Sequence, residues 1–334
     1  MKQYGRIIGL MLCTLIAAPA IFSKQCNLKS KKQCSLKQPP PATKESKQRY
    51  TTADLIAHVK TREDKRFVFI VPGYNNENWV ERTLVSIFTQ NYTNYHVICI
   101  DDASTDNAVS RIKACVAEHK MADKVTLIEN KIRQGMMANR YEAVYQCKDE
   151  DICVLLDGDD WLFPDPEILS FYNKIYSDQT VWTTYGQYVE YPSGKIGFAA
   201  EYNYIIVRKN EFRKHNFKAM HLRTFYSWLF KLIKPETFLY KGTYLRVNTD
   251  WAIMYPILEM ASVHTAFISK VTCVYNMGNP LSGFKKKNNS QFLEVAAWIK
   301  AQPPYKALAE KPELPLKINN YREMKTNKYI GVNG

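Results

Sequence analysis

Residues 154–160 read Val-Leu-Leu-Asp-Gly-Asp-Asp, an apolar run that ends in three carboxylates. The apolar residues predict a buried strand, and Asp157, Asp159 and Asp160 stand where that strand would end. Unpaired carboxylates in a packed core lose hydration and repel one another, whereas a divalent cation would neutralise them. The stretch therefore indicates a metal-using enzyme whose site lies at the end of a buried strand.

The segments around this stretch alternate between strand-like and helix-like patterns. Apolar runs typical of buried strands occupy residues 67–71, 95–100, 125–128 and 152–156. Apolar residues at helical spacing occupy residues 79–88, 109–116 and 138–145. Such alternation predicts an α/β fold with a mostly parallel central sheet and helices on both faces. The pattern becomes less regular after residue 161, which predicts a second, α+β portion towards the C-terminus.

Polar residues follow three of the predicted strands. The segment from Pro72 to Glu77 follows the first strand, Asp101 and Asp102 follow the second, and the acidic stretch follows the fourth. Ligands of parallel sheets bind beyond the carboxyl ends of the strands, so we expect these residues to form one site. The first strand is not followed by a Gly-x-Gly-x-x-Gly motif, which argues against a dinucleotide-dependent dehydrogenase.

The carboxylates at these strand ends suit particular ligands. Asp157 and Asp159 offer hard oxygen atoms, which favour Mg²⁺ or Mn²⁺ together with substrate phosphates. We expect Gly158 to let the backbone turn so that both reach one ligand. The alternative is a solvated acidic turn. Asp102 suits a nucleobase N–H or a ribose hydroxyl, while residues 104–106 also offer caps for the next helix.

For three further residues and one basic stretch, the sequence leaves more than one role open. Asp250 begins a helical segment, where the macrodipole favours a carboxylate that can act as a general base; the alternative, favoured without other context, is a plain N-cap. His221 and His264 are expected to be structural, or to face phosphate, rather than to bind metal. The basic and aromatic stretch 208–234 either contacts phosphate or forms a solvated basic face.

Charge and cysteine content restrict the class of protein. The net charge of the 334 residues is +14, yet no zinc-finger spacing or other nucleic-acid motif accompanies it, so we expect no nucleic-acid partner. Five of the eight cysteines lie in apolar stretches and are predicted to be free thiols. Cys26 and Cys34 lie in polar surroundings, and their pairing stays open.

The N-terminus has the pattern of a targeting segment. Lys2 and Arg6 precede an apolar run over residues 7–22, which is shorter than a full membrane span and suits a signal peptide or a signal anchor over residues 1–23. A basic, proline-rich linker is predicted over residues 24–62. We therefore expect a membrane-associated, exported or lumenal protein, with a cytoplasm-facing anchored form left open.

Four motifs in register resemble the family 2 glycosyltransferases, the inverting enzymes with the Rossmann-like GT-A fold. The matching residues are 70–77 (IVPGYNNE), 86–90 (SIFTQ), 100–106 (IDDASTD) and 155–161 (LLDGDDW). Their order and gaps fit the nucleotide-binding half of that family over residues 66–175. The acceptor half, residues 176–300, matches more loosely through residues 221–225 and 249–251. The predicted enzyme domain thus covers residues 63–300, and a C-terminal tail covers residues 301–334.

The resemblance implies a role for each candidate residue. Pro72, Tyr74 and Glu77 would line the nucleotide pocket with Asp102, and Asp157 would lie near the ribose. Asp159 would bind Mg²⁺ or Mn²⁺, and Asp250 would deprotonate the acceptor. The implied donor is a nucleotide sugar, with a UDP-sugar expected, and the acceptor is a glycan, a lipid or a protein. A non-catalytic member of the fold, binding a nucleotide sugar or a glycan, is the alternative.

Overall fold

The computed structural model describes residues 64–281 and 290–314, and a strand–helix alternation fills its first half. Its elements are β1 (Phe67–Gly73), α1 (Val80–Phe88), β2 (Tyr95–Asp101), α2 (Ala108–Glu118), β3 (Val125–Glu129), α3 (Met136–Gln146) and β4 (Ile152–Leu155). Each lies within about two residues of its predicted position. The sequence periodicity therefore identifies this half correctly.

The second half of the described chain is less regular. Its helices are α4 (Ile168–Tyr176), α5 (Tyr204–Arg208), α6 (Ser227–Lys231), α7 (Thr249–Ala261) and α8 (Ser290–Ala301). Its strands are β5 (Trp161–Leu162), β6 (Thr183–Tyr191), β7 (Arg223–Tyr226), β8 (Leu239–Tyr240), β9 (Thr243–Tyr244) and β10 (Thr265–Asn276). Short 3₁₀ turns cover Phe212–Lys214, Pro235–Phe238 and Ser262–His264. The short strands β5 and β7 were not predicted, since two or four residues carry too little alternation to be recognised.

One eight-stranded sheet organises these elements, in the order β3-β2-β1-β4-β7-β6-β10-β5. Strands β3, β2, β1 and β4 are parallel, as are β6 and β10. Strands β7 and β5 run antiparallel to their neighbours. The predicted α/β fold with a mostly parallel central sheet is confirmed.

The core sits on β1, whose residues from Phe67 to Pro72 are all buried. Helix α1 covers the sheet with Val80, Leu84 and Ile87, while Glu81 on its other face is exposed. Burying each of these side chains contributes about 1.5–3 kcal/mol. This packing holds α1 against β1, at whose carboxyl end Pro72 and Gly73 lie.

The register of the strands brings their polar ends together. Gly73 at the end of β1 pairs with Asp101 at the end of β2, and Ile70 pairs with Leu155 at the end of β4. Strand β7 then places Arg223 opposite Leu155, two residues before the acidic stretch. Strand β7 lies antiparallel between β4 and β6. It thus brings Arg223, from the C-terminal half of the chain, to the edge of the sheet where β1, β2 and β4 end.

Residues beyond α8 continue to pack against the fold. The backbone N–H of Leu308 donates to Met260 O, and that of Tyr305 donates to the Glu259 carboxylate, both on α7. The five cysteines predicted to be free are free and buried: Cys99, Cys115, Cys147, Cys153 and Cys273.

Several predictions fall outside the described residues. They are the targeting segment 1–23, the linker 24–62, the pairing of Cys26 with Cys34, and the end of the tail, 315–334. Within residues 64–281 and 290–314, no helix has the length and the apolar character needed to cross a bilayer.

Candidate active site

A cavity of about 520 Å³ lies at the carboxyl ends of β1 and β4. The first turn of α7 and the loops of the C-terminal half form its other wall. Five of the seven predicted site residues line it: Pro72, Tyr74, Asp157, Asp159 and Asp250. Residues separated by 178 positions in the chain (72 to 250) therefore face one space, as expected for a site at the end of a parallel sheet.

Asp102 does not line this cavity, because its carboxylate holds the loop before α3. Asp102 Oδ1 accepts hydrogen bonds from Gln134 N (2.8 Å) and Asn130 Nδ2 (2.9 Å), and Oδ2 accepts one from Gly135 N (2.8 Å). The side chain is buried. Asp102 thus supports one edge of the site, and its contact with a nucleotide stays a prediction.

Glu77 also lies outside the cavity lining and joins two loops. Its Oε2 accepts hydrogen bonds from Asn107 N and Asn107 Nδ2, both 2.9 Å, and these bonds lower the pKa of Glu77. Asp106 makes a second link between the same loops, because its Oδ2 accepts a hydrogen bond from Glu77 N (2.9 Å). Its Oδ1 accepts a hydrogen bond from Ala108 N (3.0 Å), at the start of α2. Capping of α2 therefore accounts for Asp106, whereas the nucleotide contact of Glu77 stays a prediction.

Asp157 is paired with an arginine that the sequence analysis missed. Arg140 Nη2 donates to Asp157 Oδ1, and Arg140 Nη1 donates to Thr249 Oγ1 at 2.7 Å. Burial alone would raise the pKa of Asp157, but Arg140, and then His221 and Arg223, hold it below its usual value. The available signal was a basic residue within the apolar face of α3, next to the buried Tyr141.

Asp159 faces the cavity without a cationic partner among the described residues. Its Oδ2 accepts a hydrogen bond from Asn279 Nδ2 at 2.6 Å. Burial, and then the neighbouring Asp157 carboxylate, raise the pKa of Asp159 to about 6. A raised pKa means that the negative charge is poorly compensated, which is the condition under which a cation binds well.

Asp160 turns away from the cavity. Its Oδ1 accepts a hydrogen bond from Asn276 N (2.8 Å), its Oδ2 lies 3.7 Å from His221 Nε2, and the side chain is buried. Burial and the two neighbouring aspartates raise its pKa well above the usual value. Of the three carboxylates in the acidic stretch, Asp159 is therefore the one that presents uncompensated charge to the cavity.

The described part of the chain contains no cluster of three or more His, Cys, Asp or Glu side chains placed to enclose a metal. Mg²⁺ sites in enzymes commonly use one or two carboxylates, with phosphates and water completing the shell. The uncompensated Asp159 fits a metal of that kind, but not one held by the protein alone.

Gly158 is required by the close approach of two neighbouring loops. Asn76 Nδ2 donates to Gly158 O at 2.8 Å, and a Cβ atom on Gly158 would lie 2.4 Å from that nitrogen and 3.1 Å from Pro72 O. Gly158 lies in a turn, as predicted. Within the protein Asp157 binds Arg140 and Asp159 binds Asn279, and both line the cavity, so their contact with one common ligand stays a prediction.

Asp250 is the second residue of α7 and binds an arginine from β7. Arg223 Nη2 donates to Asp250 Oδ2 at 2.9 Å, and Arg223 Nε donates to Ala219 O at 2.8 Å. Asn248 occupies the N-cap position instead, so the interpretation of Asp250 as a plain N-cap is wrong. The buried Arg223 fixes the Asp250 carboxylate at the cavity wall.

The two histidines differ in position. His221 lines the cavity, stacks on Tyr275 with ring centroids 5.1 Å apart, and is buried. Burial and Arg223 lower the pKa of His221 well below its usual value. His264 instead stacks on Trp182 and contacts Thr180 O at 2.7 Å, outside the cavity lining. His264 thus packs outside the site, whereas His221 lines the cavity and its contact with phosphate stays a prediction.

Comparison with known sequences identifies a related family. The sequence model of "Glycosyl transferase family 2" matches residues 68–236, about half of the chain. "Glycosyltransferase GlyA" of Streptococcus pneumoniae is 30% identical over 112 residues, 34% of this chain and 15% of that protein. "Putative glycosyltransferase EpsE" of Bacillus subtilis is 33% identical over 98 residues, 29% of this chain and 34% of that protein. The matched part is thus about a third or less of each relative.

Solved structures share the fold at low sequence identity. TarS of S. aureus superposes with a TM-score of 0.52 at 16% identity, covering 70% of this chain and 39% of TarS. The mannosyltransferase PcManGT of Pyrobaculum calidifontis, solved with GDP-Man and Mn²⁺, gives 0.50 at 22% identity, covering 73% of this chain and 66% of its own.

Proposed function

The chain belongs to glycosyl transferase family 2, and from this premise we propose that it is a glycosyltransferase. It would move a sugar from a UDP-sugar to an acceptor hydroxyl with inversion, assisted by Mg²⁺ or Mn²⁺. The resemblance seen in the sequence motifs is thus confirmed at the level of the family. One observation carries the finer proposal: Asp157, Asp159 and Asp250 line the same cavity.

Asp159 is the residue that would hold the metal. Its charge is uncompensated and faces the cavity, whereas Asp157 is paired with Arg140 and Asp160 is turned inward. When bound, the metal would supply positive charge that offsets the charge developing on the diphosphate leaving group. Asn279, which donates to Asp159 Oδ2, orients this carboxylate.

The donor side of the cavity is formed by Pro72, Tyr74 and Asp157. We propose that the nucleoside lies against these residues, with the Arg140-bound carboxylate of Asp157 accepting a hydrogen bond from a ribose hydroxyl. Asp102 and Glu77 would support this pocket from its edge. Asp102 holds the loop before α3, and Glu77 holds the loop before α2.

Asp250 is the proposed general base. Its hydrogen bond to Arg223 uses Oδ2, so that Oδ1 can accept the proton of the acceptor hydroxyl. In the same step the acceptor oxygen bonds to the anomeric carbon, and the bond from that carbon to the diphosphate oxygen breaks. Attack opposite the leaving group inverts the anomeric configuration, and the nucleoside diphosphate departs with the bonding electrons.

A donor panel tests this proposal. The purified chain is incubated with UDP-sugars and GDP-sugars, with and without Mn²⁺, and both nucleoside-diphosphate release and the anomeric configuration of the product are measured. We expect release from a UDP-sugar and an inverted product, and we expect Asp250→Asn to lower transfer at least about 100-fold. A retained configuration, or near-full transfer by Asp250→Asn, would remove Asp250 from the mechanism. Binding of a nucleotide sugar without any turnover would favour the non-catalytic alternative.

A further inference from the structure

The side chain of Asn248 lies in the cavity wall, and its amide makes no hydrogen bond to the described residues. Asn248 precedes α7 with a left-handed backbone (φ 53°), and its side chain does not cap the helix. It is 6% exposed and lines the cavity. Among the described residues neither Oδ1 nor Nδ2 has a hydrogen-bond partner. A buried amide without partners costs free energy, which a ligand in the cavity would recover.

The neighbours of Asn248 are fixed, which gives the amide a defined position. Thr249 is held by Arg140, and Asp250 is held by Arg223. Asn248 therefore stands two residues before the proposed base on a rigid first turn. A ligand that binds the Asn248 amide would lie beside Asp250, where the acceptor has to bind.

Aromatic side chains from the C-terminal half of the chain also line this cavity. Phe217 stacks on Trp251 with ring centroids 5.2 Å apart, and Phe292 meets Trp251 edge-on at 6.3 Å. The Lys300 ammonium lies over the Trp251 ring at 5.7 Å. Phe198 is 56% exposed and lines the cavity, so its ring is the one most open to a ligand.

We propose that the acceptor is a pyranoside sugar, bound through two neighbouring hydroxyls by the Asn248 amide and through its C–H face by Phe198. The amide offers one acceptor oxygen and an NH₂ donor, which complement a vicinal diol. A lipid alcohol or a lipid phosphate has no pair of neighbouring hydroxyls, so it would leave the Asn248 oxygen or its NH₂ group unpaired. This inference rests on the proposed function, since it names the acceptor class of the same site.

The test compares variants at Asn248 with a control that shares its conformation. Asn248→Gly removes the amide but keeps the left-handed backbone without strain, and Asn248→Asp keeps the acceptor oxygen but removes the donor. Phe198→Ala removes an exposed ring. Asn210→Gly is the matched control, because Asn210 is also left-handed (φ 55°) but does not line the cavity.

Three acceptor probes are offered with the donor that the wild type cleaves: a set of methyl hexopyranosides, a peptide with serine and threonine hydroxyls, and undecaprenyl phosphate. Transfer and donor hydrolysis are measured together. We expect transfer to a methyl hexopyranoside, and an acceptor KM raised about tenfold or more by Asn248→Gly and Asn248→Asp and severalfold by Phe198→Ala. Asn210→Gly should keep the wild-type acceptor KM.

The outcomes separate this inference from the proposed function. Transfer only to the peptide or to the lipid phosphate, or an acceptor KM unchanged by the Asn248 variants, would overturn the sugar acceptor while leaving the transferase intact. A donor KM that rises in place of the acceptor KM would assign Asn248 to the donor and would also overturn it. A wild type that cleaves no nucleotide sugar would contradict the proposed function itself.

Discussion

At the scale of single residues, partners decide what four similar aspartates do. Arg140 neutralises Asp157, Arg223 holds Asp250, Asp160 turns inward, and Asp159 is left with an amide partner. The motif in the sequence located the acidic stretch, and the resemblance assigned different roles to Asp157 and Asp159, but the sequence did not give the partners of these carboxylates. Their difference arises from Arg140 on α3, 17 residues before Asp157, and from β7 and residues in and after β10, which lie much further along the chain.

Arg140 is expected to stabilise the fold as well as the site. Arg140→Met would leave the Asp157 carboxylate without its partner and Thr249 Oγ1 without its donor. We expect a loss of about 3 kcal/mol in the free energy of unfolding, measured by urea denaturation. Lys113→Met, which breaks the exposed pair with Glu129, is the control and should cost about 1 kcal/mol or less. Equal losses in the two variants would contradict the role of Arg140.

The raised pKa of Asp159 predicts a dependence of stability on pH in the metal-free protein. The pKa is about 6 in the folded protein and 3.8 as the reference, so the folded state binds the proton more tightly than the unfolded chain. The contribution of Asp159 to stability is therefore fully present below pH 3.8 and is lost as the pH rises through about 6.

Comparison of wild type with Asp159→Asn isolates this contribution. The variant cannot ionise, so its stability relative to wild type should rise as the pH increases from 3.8 to about 6 and level off above, as measured by urea denaturation in EDTA. Asp178→Asn, at an exposed carboxylate whose pKa is lowered by Thr180, should show no such gain. A constant difference between wild type and Asp159→Asn over this range would mean that the Asp159 carboxylate is well compensated.

At the scale of elements, the ends of β1 and β4 are locked together by side chains. Asn76 donates to Gly158 O, and Thr83 Oγ1 donates to Asp160 O at 2.7 Å. These bonds tie α1 and the loop before it to the acidic stretch. The turn therefore keeps its shape through contacts with other elements as well as through its own residues.

Gly158→Ala tests this tie. The added Cβ would meet Asn76 Nδ2 and Pro72 O, so we expect a loss of about 1–3 kcal/mol in unfolding free energy together with weaker metal-dependent nucleotide binding. Gly194→Ala is the control: its φ of +71° makes alanine strained, but nothing lies within 4 Å of the new Cβ. The control should lose about 1 kcal/mol and keep nucleotide binding. Full nucleotide binding by Gly158→Ala would contradict the importance of the close approach.

Elements with a strong periodicity could be predicted from the sequence, and those without it could not. Strand β1 is a continuous apolar run, and α1 repeats apolar residues at helical spacing, so both were placed correctly. Strand β7 has four residues, all of them buried, and its antiparallel pairing depends on β4 and β6. Because β7 delivers Arg223, the partner of Asp250 was missed for the same reason as the strand.

At the scale of the whole described fold, a buried ion pair joins α7 to the segments around it. Arg213 Nη2 donates to Glu259 Oε2 at 2.9 Å and Arg213 Nη1 donates to Ile299 O at 2.6 Å, while Tyr305 N donates to Glu259. Burial raises the pKa of Glu259. This network fixes α8 and the residues after it on α7, whose first turn carries Asp250.

Arg213→Met is expected to be strongly destabilising, because it leaves the Glu259 carboxylate buried and unpaired. We expect a loss of about 3–5 kcal/mol in the free energy of unfolding. The double variant Arg213→Met with Glu259→Leu removes both charges and should recover most of that loss, as judged from urea denaturation of the three proteins. A double variant no more stable than Arg213→Met would show that packing around Arg213, and not the ion pair, holds α8 in place.

The uncompensated charge of Asp159 is the central feature of the proposed metal site. Nucleoside-diphosphate release from a UDP-sugar by wild type and Asp159→Asn, in Mn²⁺ and in EDTA, tests it most directly. Asp165→Asn, at a half-buried carboxylate that pairs with Lys270 and does not line the cavity, is the control. We predict that release by wild type and by the control requires Mn²⁺, and that Asp159→Asn lowers it at least about 100-fold while remaining folded. Release by Asp159→Asn at the wild-type rate, or equal release in EDTA, would contradict the account.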